Sequence, residues 1–141
     1  MTPSYRSGRV ISGKLPEGVD LMVFLEDAAA RGGFRRATVS AFGAVKRAVY
    51  AFFEQGSRRY LPLLRDQELE LLNLTGLVSA DGGRPALHAH VTFGDAKGCA
   101  FGGHLLSGTV VFGGVYWLEE FREPESEVDQ PDGPTLPAGI R

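Results

Sequence analysis

The chain has 141 residues, enough for one domain with an ordinary core; 43% are hydrophobic and 23% charged, which excludes a disordered chain. A net charge of −2 argues against strong non-specific DNA binding, whose affinity comes from neutralised phosphates. Its one cysteine, Cys99, excludes an internal disulfide framework, and no stretch approaches the ~20 apolar residues that cross a bilayer, so a cytoplasmic protein without membrane contact is expected.

In chain order, Arg6 to Leu15 reads as a first strand, and Pro16-Glu17-Gly18 as the turn after it. Asp20 is a plausible N-cap for a helix whose stripe is Leu21, Phe24, Leu25 and Ala28, at i, i+3, i+4 and i+7; Gly32-Gly33 supplies its stop. Short β-type runs follow. Ala37 to Phe42 is predicted to end at Gly43, and Val45 to Phe53 at Gln55-Gly56-Ser57. Arg59 to Leu64 suits an edge strand, being interrupted by Pro62. Glu68 to Val78, Leu87 to Phe93, Cys99 to Leu106 and Thr109 to Phe121 complete the set. One main helix on about seven strands predicts an α+β domain with a mostly antiparallel sheet over 1–121. Residues 122–141, proline-rich and acidic, read as a tail outside the core.

All three histidines fall between 88 and 104. In a strand, residues i and i+2 share a face, so His88 and His90 project together. If 94–98 is the hairpin loop, Phe93 pairs with Cys99, and His88 then faces His104 while His90 faces Gly102. Directly opposed Cβ atoms lie ~4.5–5.5 Å apart, close enough for imidazoles to converge on one ion. A one-residue slip would send His104 to the other face. Three neutral imidazoles with an open fourth position form a set used by catalytic zinc, so a divalent metal, zinc first, is expected on His88, His90 and His104. Iron, nickel, manganese or copper also take nitrogen ligands. The alternatives are a metal-free ligand or proton-transfer site, or three unrelated histidines. Thr92 shares the histidine face and Gly102-Gly103 leaves room above it, making these three candidate contacts for an unknown small molecule. Cys99 falls on the opposite face and is expected to be a small buried thiol. Glu54, Glu70 and Asp95 are candidate acid/base groups with nothing to single one out.

Three segments resemble the plant-and-prokaryote-conserved (PPC) domain family: Glu70-Leu71-Leu72-Asn73-Leu74-Thr75-Gly76, Leu87-His88-Ala89-His90-Val91-Thr92-Phe93-Gly94-Asp95, and Gly102-Gly103-His104-Leu105-Leu106 with Gly108. Gly18-Val19-Asp20-Leu21 and Ala41-Phe42-Gly43-Ala44 add to the likeness, which spans roughly 6–121. The resemblance implies an antiparallel α/β domain that forms a homotrimer, with a histidine cluster where a metal is plausible in the stand-alone prokaryotic type. It also implies a DNA-associated regulator as the alternative role. Against that role, there is no Arg-Gly-Arg-Pro AT-hook, and Glu68 stands where the plant members carry arginine. The basic pairs Arg35-Arg36, Lys46-Arg47 and Arg58-Arg59 are what DNA would need. A cupin also places His-x-His on a strand but adds a glutamate about four residues on, where this chain has Phe93-Gly94-Asp95.

A trimer would also account for the final strand. Its Val110, Phe112, Tyr116, Trp117 and Phe121 offer more apolar surface than one helix covers. The histidine pocket would then lie at a subunit boundary.

Overall fold

The computed structural model describes residues 4–123; the tail lies outside the described residues from position 124 on. Among the described residues one helix packs on a single seven-stranded sheet whose paired strands are all antiparallel. The chain runs β1 (Arg6–Leu15), α1 (Leu21–Gly32), β2 (Arg36–Glu54), β3 (Arg59–Arg65), β4 (Leu69–Ser79), β5 (Ala86–Gly94), β6 (Ala100–Leu105) and β7 (Val110–Arg122). Their spatial order is β1-β7-β2-β4-β5-β6, with β3 paired to β2 alone.

The helix forms where the sequence places it. Asp20 Oδ1 accepts from the N–H groups of Met22 and Val23, and Gly33 takes the left-handed conformation at the other end. Such an N-cap contributes about 1 kcal/mol. Asp20 Oδ2 also accepts from Ser107 Oγ and the Gly108 N–H, which pins the helix start to the turn before β7. Leu21, Leu25, Ala28 and Ala29 are buried against the sheet. At ~2 kcal/mol for each fully buried leucine, this face holds the helix down.

The sequence reading separates two strands at Gly43; the structure joins them into the 19-residue β2. Gly43 sits in the strand at a φ of +155°, where a Cβ would lie 2.2 Å from the Gly113 carbonyl oxygen. This glycine marks a close approach of β2 and β7 rather than a turn. Irregular register at Gly43 and again before Arg47 bends the strand. Its first half pairs with β4 and β7; its second half pairs with β3 and, at Tyr50 and Ala51, with β6. The buried Thr109 hydroxyl stitches the bend, accepting from the Val49 N–H and donating to the Val49 carbonyl. Through the β2–β6 pairing, β2, β4, β5 and β6 close on one another. Tyr50, Phe93 and Phe101 pack inside that closure with ring centroids 5.7–6.3 Å apart.

The final strand does not present its large side chains on one face. Tyr116 turns to the helix, where it meets Phe24 edge-on, while Val115 and Trp117 lie on the bare face. Phe42 and Trp117 pack together there and are 52% and 39% exposed, with Leu77 and Val10 also exposed on this side.

Candidate metal centre

The bare face of the sheet carries the histidines. Along β5, Leu87, Ala89, Val91 and Phe93 are buried on the core side, while His88, His90 and Thr92 alternate to the other side. The β5–β6 register differs from the expected one. Asp95 Oδ1 accepts from the N–H groups of Lys97 and Cys99, and Gly98 takes a φ of +80°. These make 95–99 the turn, so Gly94 pairs with Ala100 and His90, not His88, stands opposite His104. The shift is two residues, an even number, and every histidine keeps its face. Thr92 consequently faces Gly102. Cys99 belongs to this turn and is exposed, not the buried thiol the strand alternation suggested.

The ligand atoms of His88, His90 and His104 all lie within 4.8 Å of one another. His88 and His104 meet edge-on at 4.8 Å between centroids, and His90 stands 5.5 Å from His88 and 5.9 Å from His104. His104 is 3% exposed, although it sits on the side away from the helix. Its cover includes Tyr60 of β3, whose ring stacks at 4.8 Å and is backed by Phe53 at 5.0 Å. Sequence reasoning missed Tyr60. Its only local signal is a place on an edge strand, and its proximity to His104 comes from the non-local β2–β6 pairing.

Both ring nitrogens of His104 and Nδ1 of His88 are buried without a hydrogen-bond partner. Buried polar atoms are rarely left so, because each lost hydrogen bond to water costs about 1–3 kcal/mol. Burial, with His88 and His90 adding to it, pushes the His104 pKa down to about 4, and burial followed by His90 lowers that of His88. Both rings are therefore neutral near pH 7, the form that ligates metals. Three imidazoles on one patch, two of them with buried nitrogens lacking any other partner, fit a divalent ion. A bound ion would supply Lewis acidity and an open position for water or ligand.

The candidate acid/base groups are not brought in. Glu54 ends β2 and accepts from Ser57 Oγ, and Glu70 pairs with Gly94, four residues along β5 from His90. Asp95 is committed to the hairpin turn. Glu70 and Asp95 line a separate cleft of about 780 Å³ with Lys46 and Glu68. Gly102 and Gly103 serve strand approach. A Cβ at Gly102 would lie 1.9 Å from the Val91 carbonyl oxygen, and one at Gly103 2.4 Å from that of Ala51.

The depressed pKa of His104 carries a sign that can be tested. In the metal-free fold His104 stays neutral down to about pH 4, whereas in the unfolded chain it takes a proton near its ordinary value of 6.5. Proton linkage at His104 is thus neutral above pH 6.5 and destabilises the metal-free fold increasingly as pH falls from there through 4, by at most ~3 kcal/mol. Urea unfolding of chelator-treated protein across this window should show a falling midpoint, with a shallower fall in His104→Leu.

Residues 2–122 match the Plants and Prokaryotes Conserved (PCC) domain. The chain belongs to this family. A plant- and prokaryote-conserved protein from Pyrococcus horikoshii is 29% identical, with a TM-score of 0.82 over 88% of this chain and 86% of that one. A metal-containing protein from Archaeoglobus fulgidus is 30% identical, with a TM-score of 0.80 over 87% and 86%. A candidate DNA-binding protein from Ralstonia eutropha is 27% identical, with a TM-score of 0.68 over 78% and 76%. Among curated proteins none matches the chain.

Proposed function

We propose that this PPC-family protein is a homotrimer that binds a divalent metal, zinc first, on His88, His90 and His104 and uses its open side to bind or process a small molecule. The observation that carries this reading is the set of three buried, unpartnered ring nitrogens in one cluster. The metal-containing relative from Archaeoglobus fulgidus supports it. Thr92, on the histidine face and paired with Gly102, stands on the side from which a ligand would enter. Metal analysis after zinc supplementation tests the reading. Wild type should hold close to one zinc per chain, and His90→Ala, at an exposed position that folding tolerates, should hold almost none. Near-zero metal in both proteins overturns it.

The trimer rests on the bare apolar patch of Val10, Phe42, Leu77, Val115 and Trp117 beside the histidines. Leu77 pairs directly with His88, so a subunit covering the patch reaches the edge of the site. A heterologous contact of this kind closes under three-fold symmetry. Light scattering is expected to show a species of three 15.2 kDa chains, dissociated by Trp117→Arg. A monomer at micromolar concentration rules the trimer out.

A DNA-associated role is the lesser reading, favoured by the description of the Ralstonia relative. Several of the cations it needs are already engaged. Arg36 pairs with Asp81 and Glu123, Lys46 with Glu17, and Arg47 donates to the Gly108 carbonyl. A gel shift at about 50 mM salt, where phosphate contacts are strongest, should show no complex.

A further inference from the structure

The metal reading leaves the chemistry of the ligand open, and the surroundings of the cluster narrow it. Among the described residues no aspartate or glutamate joins the three histidines. An ion held by neutral imidazoles alone keeps its full double charge, so the group that completes its shell is favoured to be an anion. Strand pairing fixes which residues stand next to the cluster on its face. Gly102 brings no side chain; Thr92 stands directly across from it on β5, and His104 lies two residues on along β6. On the other flank β2 pairs with β6 at Ala51 and His104; two residues beyond Ala51 is Phe53, whose ring packs on Tyr60, and Tyr60 in turn stacks on His104. On this face Gly102 is therefore flanked by a metal ligand, one hydroxyl and two aromatic rings.

We infer that the exposed face beside the cluster, at Gly102 and Thr92, takes a compact carboxylate with a flat or apolar body, one carboxylate oxygen completing the metal shell, the other accepting from the Thr92 hydroxyl, and the body lying against Phe53 and Tyr60. This rests on the metal reading and adds the ligand class to it. A threonine hydroxyl offers one donor that can turn toward an anion, and a hydrogen bond to a charged acceptor is roughly twice as strong as a neutral one. Thr92 is exposed and takes part in no hydrogen bond among the side-chain contacts of the described residues, so its donor is available. The rings add stacking and contact area to a planar ligand, which a bare acetate lacks.

The test uses cobalt(II)-loaded protein, whose visible absorption reports ligands entering the metal shell, titrated with benzoate, benzamide and acetate. Cobalt uptake is measured first. Failure of wild type to take up one cobalt per chain overturns the metal reading itself, and this inference with it. With cobalt bound, benzoate is expected to perturb the spectrum with a Kd at least about tenfold below that of isosteric, uncharged benzamide, and below that of acetate. Thr92→Val should weaken benzoate about fivefold or more while leaving cobalt affinity unchanged. A metal-loaded protein that benzoate leaves spectrally silent up to about 10 mM, or that binds benzamide as well as benzoate, overturns the carboxylate class alone. Unchanged benzoate affinity in Thr92→Val removes Thr92 from the site.

Discussion

His104→Leu is expected to abolish zinc binding and, at the same time, to make the metal-free protein more stable. His104 is buried, with neither ring nitrogen hydrogen-bonded, and it is held against the rings of Tyr60 and His88. In the absence of metal those nitrogens have lost water and gained nothing, at a cost of about 1–3 kcal/mol. Leucine fills similar space with no polar atom to desolvate, so that cost disappears. The same change removes one of three nitrogen donors and should weaken zinc at least about 100-fold, more than loss of an outer-shell partner does. Calorimetric melting of chelator-treated wild type and variant, beside a zinc titration, checks both halves. A variant that melts lower than metal-free wild type would show that His104 is there for packing, and one that still binds zinc tightly would remove it from the ligand set. The predicted trade, stability for metal, is what distinguishes a functional buried histidine from one that fills space.

The second large effect is expected at Gly102. A Cβ there would lie 1.9 Å from the Val91 carbonyl oxygen and 3.0 Å from the Thr92 Cα, and these are backbone atoms that no side-chain rotation clears. Gly103 is similarly close to the Ala51 carbonyl, so β6 is held against the backbones of both β5 and β2. Gly102→Ala must push β6 away from β5, breaking ladder hydrogen bonds and moving His104, two residues along. Loss of about 3 kcal/mol and a clear weakening of zinc affinity are expected. Gly83→Ala is the control, since a Cβ at Gly83 meets nothing within 4 Å. Its effect should stay within ~0.5 kcal/mol. Equal urea midpoints for the two variants would mean that β6 has freedom the present geometry denies it.

Much of this site was legible in the residues because the governing periodicities are local. Alternation puts His88, His90 and Thr92 on one face whatever else the chain does, and the loop length carries that face across to His104. Asp20, the leucine stripe and Gly33 likewise announce the helix, since each acts within a few residues of the backbone it serves. A loop taken as 94–98 sets the hairpin register two residues off the observed one. Asp95, whose carboxylate accepts from two N–H groups, defines the turn, and an aspartate followed by glycine three residues later was the available signal.

What the tertiary structure decided is who surrounds those histidines. The reading of Gly43 as a strand end rested on a sound local preference; a neighbouring backbone at 2.2 Å from its Cβ position gives that glycine a different reason to be there. Once β2 continues through Gly43, it is long enough to bend and pair with β6, and that pairing draws the β2–β3 hairpin and Tyr60 to His104. Residues 60 and 104 are brought together by strand pairing across a bent sheet, which no window of sequence contains. Burial follows from the same event. By the strand pattern alone His104 would be one more histidine on a bare face; packed under Tyr60 and against its neighbours, it becomes the neutral, unpartnered ring on which the metal reading depends. Periodicity along the chain thus determined which residues share a face, while the closing of β2 on β6 determined which of them lost contact with water.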